Sequence, residues 1–201
     1  TACSEGDNWR NQIKSVVRIL VKKGSSSFWC TGTVLNNTAS DYSSLVLTAD
    51  HCAGTSPGPY ASADDVSKWI FYFNYETPGC ENETVEDDKS LTGAVKLASS
   101  SPVGNDGSDF YLVKLNDLIP PAYEPYYAGW SNSGELSPSG VGIHHPAGDV
   151  KKISTYTSPL SLNQWGQVPG THYRVVWSAT ENGHGVTEGG SSGSPVFDDL
   201  G

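Results

Sequence analysis

The chain has 201 residues, enough for one all-β domain or two very small ones and for a sizeable apolar core. With 36% hydrophobic and 17% charged residues it is ordinary for a globular protein, which excludes wholesale disorder, and its 22 Gly and 12 Pro favour many turns. The formal net charge is -10 with 12 scattered Lys and Arg, so nucleic acid is not an expected partner; no apolar run approaches the roughly 18 residues that span a bilayer, so a membrane is not expected either.

In chain order, residues 13–20 (IKSVVRIL) are rich in β-branched types and predict a strand, as do 28–35 (FWCTGTVL), 44–49 (SLVLTA) and the aromatic run 69–75 (WIFYFNY). Residues 80–90 (CENETVEDDKS) form an acidic run that reads as a solvated loop, calcium binding being the alternative weighed against it. Strands follow at 95–98 and 110–115. Pro120, Pro121 and Pro125 exclude regular helix from 118–127, and this stretch is the expected seam between 1–117 and 118–201. Short strands resume around 128–130 and at 141–144, 152–157, 173–178 and 195–197. No long 3.6-residue periodicity occurs, so helix is expected to be minor, and many short strands predict a sandwich or a pair of barrels.

Four cysteines, Cys3, Cys30, Cys52 and Cys80, allow three pairings and show no CxxC spacing of the zinc or redox kind. Cys30 follows an apolar strand and Cys52 follows His51, which predicts a Cys30–Cys52 bridge and leaves Cys3 with Cys80 to tie down the N-terminus. An even count points to an oxidising compartment, hence to a secreted protein. The chain contains no Met and begins Thr1-Ala2-Cys3, which fits a processed product and an excised piece equally well.

Acyl transfer near neutral pH needs a hydroxyl, an imidazole to take its proton and a carboxylate to hold that imidazole in the right tautomer. Three segments supply these groups. In 47–52 (LTADHC) an apolar strand ends at His51; Asp109 stands at the entrance to the alternating strand 110–115; and 189–195 (GGSSGSP) is a glycine-rich loop whose small residues let backbone N–H groups reach a carbonyl oxygen. Taken singly, each has a plainer reading: a strand-end His, a turn Asp, a linker.

Together, and in this order, they resemble the trypsin-like serine endopeptidases. The resemblance implies an all-β, two-barrel chymotrypsin-like fold with little helix, with His51 and Asp109 in the first half (1–117) and Ser192 in the second (118–201). It assigns His51 as general base, Asp109 as its orienting partner and Ser192 as nucleophile, with the backbone N–H groups of Gly190 and Ser192 as the oxyanion hole. No cofactor is implied, and the implied partners are polypeptide substrates. Two positions depart from the commonest pattern: Ser191 replaces the Asp that usually precedes the nucleophile, and Ser194 replaces the second Gly after it. Activation through an ion pair between that Asp and a new N-terminal amine is therefore not expected.

Within the group the chain is similar to the bacterial lysyl endopeptidases, sharing GSSGSP at 190–195, IHHP at 143–146, TSP at 157–159 and AGW at 128–130. The resemblance implies cleavage after Lys. It places Trp165 near the catalytic His, with simple packing as the alternative. Glu188, four residues before Ser192, reads either as a carboxylate near the specificity pocket or as a hydrogen-bond partner of a backbone turn, and the turn role is favoured because its family counterpart is not the principal specificity carboxylate. His144 and His145 do not read as a metal site, because neighbours on an extended segment face opposite ways and no acidic or Cys ligand accompanies them at ligand spacing. Only nine residues follow Ser192, so the last strands of the second barrel and one pocket wall are expected to lie beyond Gly201 or on a second chain. A non-catalytic fragment or an inactive homologue acting as a binding module is the alternative function.

Overall fold

The computed structural model describes residues 1–54, 58–83, 85, 88–100, 107–166 and 168–201. Part of the acidic run at 80–90, namely Thr84, Glu86 and Asp87, lies outside them. Strands β1 (Val16–Lys23), β2 (Ser26–Leu35), β3 (Leu45–Ala49), β4 (Ile70–Phe73), β5 (Ser90–Thr92), β6 (Ala94–Ser99) and β7 (Phe110–Leu115) form one antiparallel sheet in the order β5-β4-β1-β2-β3-β7-β6. Gly24, at φ 58°, closes the two-residue turn between Lys23 and Ser26 that starts the β1–β2 ladder.

The two edges of this sheet are one piece of chain. Only Gly93 separates β5 from β6; its N–H donates to the Trp69 carbonyl (2.8 Å) and its carbonyl accepts from Asn116 N–H (3.0 Å), so the strand bonds to one neighbour, bends, and bonds to the other. Gly93 sits at φ 88°, and a Cβ there would run into the Asn116 amide and lie 2.7 Å from the Ser67 carbonyl oxygen, so the corner requires glycine. The sheet thus curls into a barrel. Its interior is filled by the inward positions of the alternating strands, among them Val17, Ile19, Val21, Trp69, Phe71, Tyr111 and Val113, all essentially inaccessible to water.

The second half is built on β8 (Gly140–His144), β9 (Lys152–Tyr156) and, at the far end of the chain, β14 (Val196–Asp198), in the order β14-β8-β9. Two ribbons accompany it: β10 (Ser161–Asn163) with β11 (His172–Arg174), and β12 (Ala179–Thr180) with β13 (Gly183–His184). A smaller core of Val141, Ile143, Phe197, Ile13, Val16 and Ala128 lies against the outside of the first barrel. Among the described residues, helix is confined to α1 (Arg10–Ser15), α2 (Asp50–Ala53), α3 (Ala63–Val66) and short 3-10 turns.

Local differences from the sequence reading have simple causes. Residues 13–15 end α1 instead of starting β1, because Ile13 turns its side chain to the second core while the β-branched run proper begins at Val16. The strand expected at 69–75 stops at Phe73, since Asn74 adopts φ 53°. Around 128–130 only a bridge from Ala128 to Leu35 forms, and in 173–178 the ladder ends at Arg174.

Candidate active site

The β3–β7 register brings the first two groups together. Ala49 lies opposite Phe110, so the next residues out along each strand are Asp50 and Asp109, joined by a bond from Asp50 N–H to the Asp109 carbonyl (2.9 Å). The chain turns there into α2, whose second residue is His51. Asp109, at φ 56°, presents its carboxylate to that turn: Oδ1 accepts from His51 N–H (2.9 Å) and Oδ2 lies 2.6 Å from His51 Nδ1. A bridge from Cys52 to Cys30 fastens α2 to β2, and a second joins Cys3 to Cys80.

Ser192 arrives from the other half of the molecule, with its Oγ 2.7 Å from His51 Nε2. The loop around it is braced by β2: Thr31 N–H donates to the Ser192 carbonyl (2.8 Å) and the Thr31 hydroxyl to the Gly190 carbonyl (2.8 Å). Gly193, at φ 84°, passes so close to the Thr31 carbonyl, the Thr48 hydroxyl and Ala49 N that no Cβ fits. Two peptide planes matter most. The Gly189 carbonyl accepts from Ala147 N–H (2.6 Å) and the Ser191 carbonyl from Ser194 N–H (3.0 Å); in a trans peptide the N–H points opposite the C=O, so both bonds turn the N–H groups of Gly190 and Ser192 away from those partners.

Four features of this neighbourhood escaped the sequence reading. Thr31 is the brace just described. Asp50 is fully buried, and the Tyr60 hydroxyl donates to its Oδ1. Burial pushes its carboxyl above the ordinary range, the Tyr60 bond opposes that, and the neighbouring Asp109 charge adds to it. Ser191 and His144 are bonded side chain to side chain (2.8 Å). Burial, and then the Lys152 charge, hold His144 down at about 4. His145 is held well below its ordinary value, first by burial and then by Lys151, and its Nδ1 lies 2.9 Å from the Asp149 carbonyl. Ser191, His144 and His145 stood out in sequence, but their bonding partners did not, and Thr31 and Asp50 carried no local signal at all.

The remaining candidates are dispersed. Glu188 forms a backbone turn with Ser191, donating its N–H to the Ser191 hydroxyl (3.2 Å) and accepting from Ser191 N–H (3.0 Å), while its side chain borders a cavity of about 440 Å³ behind the loop. Trp165 stands 61% exposed between β10 and β11, and among the described residues no hydrogen bond joins it to His51, Asp109 or Ser192. No group of three or more His, Cys, Asp or Glu suited to a metal ion occurs among the described residues, nor any helix long and apolar enough to cross a membrane.

Comparison with known proteins gives the family and the fold. The sequence model of the family described as "Lysyl endopeptidase, C-terminal domain" matches residues 1–201. A lysyl endopeptidase of Pseudomonas aeruginosa is 34% identical over 174 residues, covering 85% of this chain and 34% of that protein. Secreted RxLR effector protein 73 of Plasmopara viticola is 28% identical over 190 residues, covering 91% of this chain and 41% of its own length. The chain therefore spans between about a third and two-fifths of the curated relatives it matches. Among solved structures, the protease Anisep of Arthrobacter nicotinovorans superposes with a TM-score of 0.62 at 20% identity (94% of this chain, 78% of that one). A thermostable serine protease, AL20, from an extremophilic microorganism gives 0.61 at 16% (95% and 81%). The mostly β architecture is thus of the chymotrypsin-like protease kind. A match that runs from the first residue to the last, on a fold shared with solved serine proteases, makes this chain a member of the lysyl endopeptidase C-terminal domain family.

Proposed function

We propose that this chain carries the reaction centre of a serine endopeptidase in which Ser192 is the nucleophile, His51 the general base and Asp109 the residue that orients His51. The observation that carries this reading is the unbroken run of contacts from Asp109 Oδ2 to His51 Nδ1 (2.6 Å) and from His51 Nε2 to Ser192 Oγ (2.7 Å). Asp109 takes the Nδ1 proton as a hydrogen bond, which leaves Nε2 with its lone pair facing the hydroxyl. As Oγ attacks the scissile carbonyl, its proton moves to Nε2 and the imidazolium that results faces a carboxylate already in place. The carbonyl oxygen becomes an oxyanion held by the outward-turned N–H groups of Gly190 and Ser192. His51 then protonates the leaving amine, and water repeats the sequence in reverse on the acyl-enzyme.

The lysyl endopeptidase relative supports Lys as the residue before the cut. Glu188, exposed beside the loop, is the carboxylate offered to such a side chain, and Trp165 the exposed ring offered to the substrate. We read 1–117 and 118–201 as the two halves of the fold, and place the protein outside the cell on the strength of its two disulfides.

The test is labelling by a fluorophosphonate of this chain and of its complete gene product, with Ser192→Ala as control. Labelling of both places the reaction centre wholly within residues 1–201, and labelling of the longer form alone means that further residues complete it. Labelling of neither overturns the catalytic reading in favour of a binding module. Cleavage of matched Lys, Arg and Glu peptides then reads the specificity.

A further inference from the structure

The residue before the nucleophile is held by a hydrogen-bond chain in which one arrangement of protons uses every group. In that arrangement the Ser154 hydroxyl donates to the Val186 carbonyl (3.4 Å) and its oxygen accepts from His144 Nε2 (3.0 Å). A neutral imidazole protonated at Nε2 has a bare Nδ1, which accepts from the Ser191 hydroxyl (2.8 Å). The Ser191 oxygen keeps a lone pair for Glu188 N–H (3.2 Å). Every donor and acceptor in the chain is used, and His144, Ser154 and Ser191 are all buried.

Its two ends, Val186 and Glu188, belong to the segment that leads into the nucleophile loop, while His144 and Ser154 lie on β8 and β9. The segment is thereby stitched to the second sheet across a wall of the 440 Å³ cavity, which is lined by His144, Ser154, Val186 and Glu188. On the opposite side of the loop Thr31 holds the Gly190 and Ser192 carbonyls. Ser191 is the residue between them, and the orientation of the Ser192 N–H is set by the peptide plane that it shares with the Ser191 carbonyl.

We propose that His144 is a positioning residue of the reaction: acting through Ser191, its neutral imidazole locks the 186–191 segment in the conformation that aims the Gly190 and Ser192 N–H groups at the developing oxyanion. The proposal rests on the serine endopeptidase reading above. It gives position 191 a neutral, hydroxyl-based lock, so the loop takes its working shape from a side chain within the folded second sheet.

The test uses the complete gene product and measures fluorophosphonate labelling of Ser192 at saturating and subsaturating probe. Ser191→Ala and His144→Gln, whose amide reaches toward Ser154 but not Ser191, are each expected to lower the saturating rate on the order of 10- to 100-fold with the half-saturating concentration little changed. The double variant is expected to be no slower than either single one, and Ser191→Thr, which keeps the hydroxyl, to restore the rate. Wild-type rates in both single variants, or losses that multiply in the double variant, would overturn the proposal. The 15N spectrum of histidine-labelled wild-type protein at pH 7 decides independently of any variant: protonated Nε2 with bare Nδ1 at His144 is expected, and the opposite tautomer or an imidazolium overturns it. Wild-type protein that labels no better than Ser192→Ala overturns the endopeptidase reading itself, and this proposal with it.

Discussion

Asp109 meets His51 twice, at the backbone N–H and at Nδ1, from a left-handed backbone that a short polar residue tolerates. Asp109→Asn keeps the size but not the symmetry. His51 N–H needs an acceptor, so the Asn oxygen takes that place and its NH2 faces Nδ1, forcing the imidazole into the tautomer that cannot accept from Ser192. The expected outcome is a loss of turnover on the order of 10⁴-fold with an unchanged unfolding curve, measured on a peptide substrate. That these three residues meet was legible in sequence because each lies in a short motif of the kind acyl transfer would use. Their company was not. Thr31 meets Gly190 across 159 residues of chain and His144 meets Ser191 across 47, separations at which no local pattern carries information. The histidines in IHHP were legible as unusual, yet the lowered pKa of both and the hydroxyl partners of His144 follow from burial, which only the folded molecule defines.

At the scale of elements, the strand reading was sound wherever alternation ran for five or more residues: 110–115 is β7 residue for residue, and 28–35 lies wholly inside β2. It failed at ends and in short pieces, since β5 and the ribbons β10 to β13 are two to three residues long and owe their pairing to neighbours rather than to composition. The barrel's closure at Gly93 belongs to this class; a lone glycine between SLT and AVKLAS has no sequence signature of a corner. Gly93→Ala sets a side chain against Asn116 and the Ser67 carbonyl at φ 88°, and the expected cost is on the order of 2–3 kcal/mol, read from urea unfolding of the variant beside wild type.

For the whole molecule, acid is a specific weakness. Both His144 and His145 are held below their ordinary value when folded, surrounded by the cations Lys151, Lys152 and Arg18 and by the amine of Thr1. A depressed pKa means that the stabilising, neutral condition is complete above 6.5 and is lost as pH falls toward about 4, because the unfolded chain takes up the proton first. His144 alone is expected to remove about 2 kcal/mol between pH 7 and pH 5, with His145 acting in the same direction; unfolding free energies at the two pH values check this. The two disulfides divide their work differently. Cys3–Cys80 closes a separation of 77 residues and Cys30–Cys52 one of 22, worth about 4 and about 3 kcal/mol through chain entropy. Replacing the first pair by Ser is expected to lower the melting temperature more, whereas replacing the second is expected to slow labelling of Ser192 more, because Cys52 adjoins His51.

That second bridge and the Thr31 brace act from consecutive residues of one strand. Cys30 grips Cys52, the neighbour of His51, through sulfur, and Thr31 grips the loop that carries Ser192 through its amide and hydroxyl. His51 and Ser192 are 141 residues apart along the chain, yet each is referred to the same datum, like two pointers clamped to adjacent marks on a ruler. Placement errors accumulated along the intervening polypeptide therefore do not propagate into the gap between Nε2 and Oγ. Sequence drift in residues 118–127 and the outer ribbons would therefore leave the spacing of His51 and Ser192 untouched.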